Sequence, residues 1–215
     1  MRGRMAMRRR IAIYAVLCNI VWRKARVMDD SMDGAADGRL RESIVGREAV
    51  AEGRIIKFEK LTVELPGGAR AIRDFVRHPG ACAVVPVDAD GGVYLVRQHR
   101  VAIDEVTIEV PAGKLDAGEA PPACAARELR EETGIVADDM REVACLYSTP
   151  GFCDEKIHIF LATGLRRGDA APDEGELVDV VRMPLARLAD MVMRGEVRDS
   201  KTAFGILYAA RALLG

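Results

Sequence analysis

At 215 residues, 49% of them apolar and 30% charged, the chain has room for one catalytic-sized domain with its own core plus an appended arm, and its composition excludes a fibrous or wholly disordered protein. A formal net charge of -1 excludes bulk attraction to nucleic acid or to an acidic membrane, so a partner has to be recognised at a local site. The cysteines, Cys18, Cys82, Cys124, Cys145 and Cys153, form no C-x-x-C pair, which argues against a zinc ribbon or dithiol motif and for free thiols in a reducing cytoplasm.

His78, His99 and His158 are more than five residues apart, so a histidine-based metal cluster would need distant segments to converge; they read as ordinary strand or surface residues. Residues 1–26 carry eight Arg or Lys and no acid, ahead of and around a largely apolar run at 11–22. That run is interrupted by Asn19 and falls short of the ~20 residues that span a bilayer as a helix, and no small-x-small cleavage site follows it. No membrane role is expected. Residues 1–41 are read as an extension outside the fold, with the true start at Met28 or Met32.

Strand-like patterning begins at residue 42, and Leu61, Val63 and Leu65 alternate with polar neighbours before the Pro66-Gly67-Gly68 turn. Residues 42–78 form an expected small antiparallel β region, and residues 79–215 the main domain. The apolar run at 81–87, the turn at 88–92 and the strand at 93–100 predict a second hairpin. A strand at 106–110 then runs into Pro111-Ala112-Gly113. Pro121-Pro122 suits the first turn of a helix and Gly134 its C-terminal cap, which places a helix at about 121–133. Strands at 141–148, 156–165 and 176–184 and amphipathic helices at 184–195 and 200–215 complete a mixed α/β order.

The predicted helix concentrates acid. Glu128 and Glu132 stand one turn apart, with Glu131 displaced by about 60° from Glu128, so three carboxylates share one edge. Pro122, Ala125, Ala126 and Leu129 offer a neighbouring apolar face, and Arg127 is spaced to orient Glu131 through an ion pair. Gathered carboxylates repel and resist ionisation unless a hard divalent cation reverses the balance. Mg²⁺ is the expected cofactor, because a few carboxylates, waters and phosphate oxygens make its preferred shell.

The register around that helix is Gly113, five residues, Glu119, seven residues, then Arg127-Glu128-Leu129-Arg130-Glu131-Glu132-Thr133-Gly134-Ile135. It resembles the Nudix box at every defining position. The resemblance implies an α/β/α sandwich with a mixed sheet and metal-dependent hydrolysis of nucleoside diphosphates linked to another moiety. It implies Glu128, Glu132, Glu131 and the carbonyl of Ala112 as metal ligands, Arg127 as their orienting partner, and Gly113 as the close-approach position of the loop.

The stretches VRQHR, EVPAGKLDAGE, STPGFCDEKIHIFLA and RDSKTAFGIL look like the ADP-ribose pyrophosphatase group over residues 42–207. That likeness implies ADP-ribose as substrate, cleaved to AMP and ribose 5-phosphate, with a GDP-mannose or other nucleotide-sugar hydrolase as the alternative and a non-catalytic nucleotide sensor as the alternative outside enzymes. Arg97, Gln98, Arg100, Glu109 and Pro150 are the candidate substrate contacts beside Gly113. The catalytic base is Glu131 on the helix or Glu155, carried by a loop able to swing toward the metals. Relatives of the group pair through N-terminal strands, so a homodimer built on residues 42–76 is expected.

Overall fold

The computed structural model describes residues 38, 40–168 and 177–215. The basic segment, the apolar run at 11–22 and the expectation of a displaced start lie outside the described residues. Among those described, no helix is long and apolar enough to cross a membrane. The chain divides into two compact units, Met1–Ser43 with Glu64–Ala71 and Ile44–Val63 with Ile72–Gly215. In the first, the Pro66-Gly67-Gly68 turn is closed by the Leu65 N–H donating to the Ala69 carbonyl at 2.7 Å.

Strands β1 (Ser43–Glu52), β2 (Lys57–Glu64) and β3 (Arg70–Arg77) form one sheet in that order. Strands β4 (Ala81–Pro86), β5 (Gly92–Arg100), β6 (Glu105–Glu109), β7 (Ala112–Lys114), β8 (Ile135–Tyr147), β9 (Lys156–Arg167) and β10 (Val178–Pro184) make two more, ordered β10-β5-β6 and β7-β4-β9-β8. The four-stranded sheet is mixed: β4 runs parallel to β9, while β7 pairs antiparallel with β4 and β8 antiparallel with β9. Helices α1 (Pro121–Thr133), α2 (Leu185–Met193) and α3 (Ser200–Leu213) cover its faces.

Period-two alternation along β4 and β9 sorts the core into two layers. Cys82, Val84, Phe160 and Ala162 pack with Cys124, Ala125 and Leu129 of α1. Ala83, Val85, Ile157, Ile159 and Leu161 pack with Leu185, Leu188, Ile206 and Ala209 of α2 and α3. The result is the expected α/β/α sandwich. The predicted hairpin between β4 and β5 is replaced by a single bridge, Val87 to Val93, because the two strands enter different sheets. A strand apolar on both faces is best placed centrally between helix layers, and β4 takes that position between β7 and β9.

Two local differences bear on the site. The buried stripe of α1 runs through Cys124, Ala125, Glu128, Leu129 and Glu132, whereas Pro122 and Ala126 are exposed, so the acidic edge itself turns inward. Strand β8 starts at Ile135 rather than 141, since ladder pairing with β9 overrides the turn-like Asp138-Asp139. Helix α1 ends at Gly134, whose left-handed φ of 66° lets its N–H reach the Arg130 carbonyl at 2.8 Å.

Leu129 is fully buried and is the largest apolar side chain that α1 packs, with Cys124 and Ala125, against the sheet. Leu129→Ala should lower unfolding free energy by about 3 kcal/mol, measured by urea denaturation. A loss under about 1 kcal/mol would mean that the helix is positioned by its polar edge alone.

Candidate active site

The segment from Glu109 to Gly113 is fixed from three sides. The Val110 N–H donates to Thr202 Oγ1 at 2.9 Å, the Val84 N–H to the Pro111 carbonyl at 2.9 Å, and the Ala112 N–H to Glu132 Oε2 at 3.0 Å. Next to it, a Cβ placed on Gly113 would lie 2.0 Å from the Glu128 carboxylate. Only glycine lets the backbone come this close to the acidic edge.

Arg127 gathers that edge. Its Nε and Nη2 each donate to Glu119 at 2.9 Å, and its Nη1 donates to Glu128 at 2.6 Å and to Glu131 at 2.9 Å. Nη2 also reaches the Lys114 carbonyl at 3.2 Å. The bond from Arg127 is the main reason that the Glu119 carboxyl is held down to about 2, and the same bond raises the Arg127 pKa. Glu119, placed by sequence in the box without a role, is thus the second half of a two-pronged clamp across the loop and the helix.

The carboxylates face a cavity of about 560 Å³, lined by Glu128, Glu131, Glu132, Glu155, Ala112 and Gly113 on its acidic part and by Arg100, Lys114, Lys201, Gln98 and His78 elsewhere. Carboxylate and carbonyl oxygens in this number suit a hard divalent cation. Sequence reasoning gave no role to His78, Lys114, Ser148, Asp199 or Lys201, which distant segments bring to the cavity. Among the proposed substrate contacts, Gln98 and Arg100 line it. Arg97, one residue out of phase on β5, points to the other face, where its nearest acid is Asp179 at 3.9 Å. Pro150 is exposed in the β8–β9 connection and is not among the lining residues.

That connection is tied down along the end of β3. The Val76 N–H donates to the Phe152 carbonyl at 2.7 Å, the Asp154 N–H to the Val76 carbonyl at 3.2 Å, and the His78 N–H to Asp154 Oδ1 at 2.8 Å. Glu155 is held at the cavity with its Oε1 3.5 Å from His78 Nδ1. The expected swinging loop is, in this structure, a docked one.

Glu109 lies beneath the cavity wall at 2% exposure. Arg100 grips it with two bonds of 2.8 and 2.7 Å, Lys201 donates to it at 2.5 Å, and the Thr107 hydroxyl at 2.6 Å. Burial pushes its pKa up most strongly, yet Arg100, Lys201 and Thr107 together outweigh burial and bring it down to about 2. Because the folded pKa is depressed below the ordinary 4.5, this stabilisation is present above pH 4.5 and is lost as pH falls through about 2. Glu109→Gln should therefore cost about 3 kcal/mol near neutrality. Its deficit against the parent in urea melts should narrow between about pH 5 and about pH 3; a pH-independent deficit would show that packing, not charge, holds this residue.

Residues 76–203 match the family model described as NUDIX domain. The chain is 39% identical over 171 residues to an ADP-ribose pyrophosphatase of Bacillus subtilis, covering 79% of this chain and 92% of the relative. It is 38% identical over 167 residues to an ADP-ribose pyrophosphatase of Mycobacterium tuberculosis, covering 76% and 80% of the two chains. A solved structure described as an ADP compounds hydrolase matches with a TM-score of 0.71 at 27% identity, covering 81% of this chain and 95% of that one. Nudix hydrolases use divalent metal ions, in keeping with the oxygen donors gathered here. The helix that Arg127 organises is therefore a Nudix box in structure as well as in spelling, and the chain belongs to the Nudix family of hydrolases.

Proposed function

We propose that the chain hydrolyses the pyrophosphate bond of ADP-ribose, giving AMP and ribose 5-phosphate, with magnesium as its metal and manganese as a substitute. The observation that carries this reading is one cavity shared by the Arg127-gathered carboxylates and by Arg100, Lys114 and Lys201. A pyrophosphate needs both: cations for its oxygens and an anionic wall to hold metal. The relatives' names supply ADP-ribose as the nucleotide.

Glu128, Glu131, Glu132 and the Ala112 carbonyl are the proposed metal ligands. When bound, magnesium supplies positive charge to the pyrophosphate oxygens and lowers the pKa of the attacking water. The chain's own residues do the rest. Arg127 keeps Glu128 and Glu131 aligned, the Ala112 N–H fixes Glu132, and Arg100 and Gln98 reach the substrate while Glu109 orients Arg100 and Lys201 from below. Glu155 is the better base, because Glu131 already accepts from Arg127 at 2.9 Å, whereas the ion-pair partner of Glu155 among the described residues is His78 at 3.5 Å. It takes the proton as water oxygen bonds to one phosphorus and the bridging P–O bond breaks.

Purified protein with Mg²⁺ should release AMP from ADP-ribose faster than it cleaves GDP-mannose, NADH or diadenosine polyphosphates. Glu155→Gln should lower kcat by about 10²–10⁴-fold with an unchanged Mg²⁺ requirement, and Glu132→Gln by at least about 10²-fold with a raised one. A preference for GDP-mannose would move the substrate; an active Glu155→Gln enzyme beside a dead Glu131→Gln enzyme would move the base to the helix.

The proposed homodimer rests on β1, a strand exposed along most of its length that leaves Ile44, Val45 and Val50 each at least 45% open. Replacing Ile44 and Val45 by Asp should shift the mass measured by light scattering from dimer to monomer. A cytoplasmic setting accords with the free thiols of Cys82, Cys124, Cys145 and Cys153.

A further inference from the structure

Strands β8 and β9 carry a second constellation, apart from the catalytic cavity. Cys145 and His158 are directly opposed partners in the antiparallel ladder, so their side chains leave the sheet on the same face. Glu142 is three residues before Cys145, and in a regular strand it would point to the opposite face. The register breaks between Glu142 and Ala144, however: Glu142 pairs with Phe160 and Ala144 with Ile159, leaving Val143 as the extra residue of a bulge. The bulge turns Glu142 onto the face of Cys145 and His158, a re-aiming that bulges are suited to perform.

The outcome is a compact trio. Glu142 Oε1 is 2.8 Å from His158 Nδ1, and Cys145 Sγ is 3.9 Å from His158 Nε2. One ligand atom from each residue lies within 4.8 Å of the other two. Tetrahedral zinc, with Zn–S of about 2.3 Å and Zn–N of about 2.0 Å, sets sulfur and nitrogen roughly 3.5 Å apart, close to the Cys145 Sγ–His158 Nε2 spacing, and Glu142, bonded here to the other ring nitrogen, joins the shell by swinging to the Nε2 side. The donor chemistry is also selective. A thiolate, an imidazole and one carboxylate suit a borderline cation of the zinc class, in contrast to the all-oxygen catalytic edge that suits magnesium.

We propose that Glu142, Cys145 and His158 bind one divalent cation of the zinc class, the thiol losing its proton to solvent as the bond to sulfur forms and water filling the remaining position. The Cys145–His158 rung is two rungs from Tyr147–Lys156, where the β8–β9 connection carrying Glu155 departs. A cation here clips the two strands together at the base of that connection and stiffens it.

The test uses the full-length protein, freed of transition metal and kept in saturating Mg²⁺ so that the catalytic edge is occupied. Titration with Co²⁺ should develop a thiolate-to-cobalt charge-transfer band that saturates near one equivalent. Cys145→Ser should abolish the band, and Glu142→Gln and His158→Ala should weaken cobalt binding by about tenfold or more. Zn²⁺ should raise the melting temperature of the parent but not of Cys145→Ser, and should slow alkylation of Cys145 where added Mg²⁺ does not. Absence of the band in the parent protein, or its survival in Cys145→Ser, overturns the proposal. Alkylation equally fast with and without Zn²⁺ also overturns it, and would leave the trio as a thiol, imidazole and carboxylate set without a metal function.

Discussion

The guanidinium of Arg127 is the interaction on which the catalytic edge depends. Glu128 and Glu131 lie within one turn of each other, and their mutual repulsion would favour protonation or would splay them toward solvent. Arg127 opposes this by bonding to both and by anchoring itself on Glu119 and on the Lys114 carbonyl, so the loop and the helix are locked as one piece. One guanidinium does not neutralise the acids it gathers. The surplus negative charge, with Glu132 and Glu155 added from the same cavity, suits the edge to a divalent cation, in keeping with the use of such ions by Nudix hydrolases.

Glu109 mirrors that arrangement with the signs exchanged. Here a single buried carboxylate collects Arg100 from β5 and Lys201 from α3, and Asp199 adds a second acceptor to Lys201 at 2.9 Å. Asp199 also caps α3 by accepting from the Thr202 N–H at 3.0 Å, so the start of that helix and the orientation of Lys201 are set together. A cation-centred cluster of acids and an anion-centred cluster of bases thus share one cavity, which suits a metal-bound pyrophosphate at both of its charges.

The box helix was legible because its chemistry is local: the Arg127–Glu131 spacing, the paired prolines and the terminal glycine act within one or two turns, and the structure places each as the sequence implies. The basic cluster was legible only in part. Arg100 lines the cavity with Gln98 from the same face of β5, and Arg97 falls on the other, but Lys201 comes from a distant segment whose approach depends on tertiary packing, as does His78 beside Glu155. Pairing partners were the least legible feature. An apolar run such as 81–87 suits a hairpin or a central parallel strand alike, and the choice is made by β9, more than 70 residues later. The bulge at Val143 leaves no local signature either, so the convergence of Glu142 with Cys145 and His158 could be seen only once β8 was paired.

What sets the two charged clusters at a fixed separation is the short backbone segment from Glu109 to Gly113. Its first residue centres the basic cluster, its fourth donates to Glu132, and its fifth makes room for Glu128. Its second and third residues are held by Thr202 and Val84, which belong to α3 and to the central strand. Hydrogen bonds to neighbouring elements hold the backbone of Val110, Pro111 and Ala112 in place, so the spacing between the basic and acidic clusters is set by the backbone rather than left to side-chain rotation. A site that must hold phosphate oxygens and metal ligands to within fractions of an ångström gains from this. Pro111, which has no N–H to donate, fits in mid-segment because its carbonyl accepts from the Val84 N–H and its fixed φ removes a degree of freedom from the spacer.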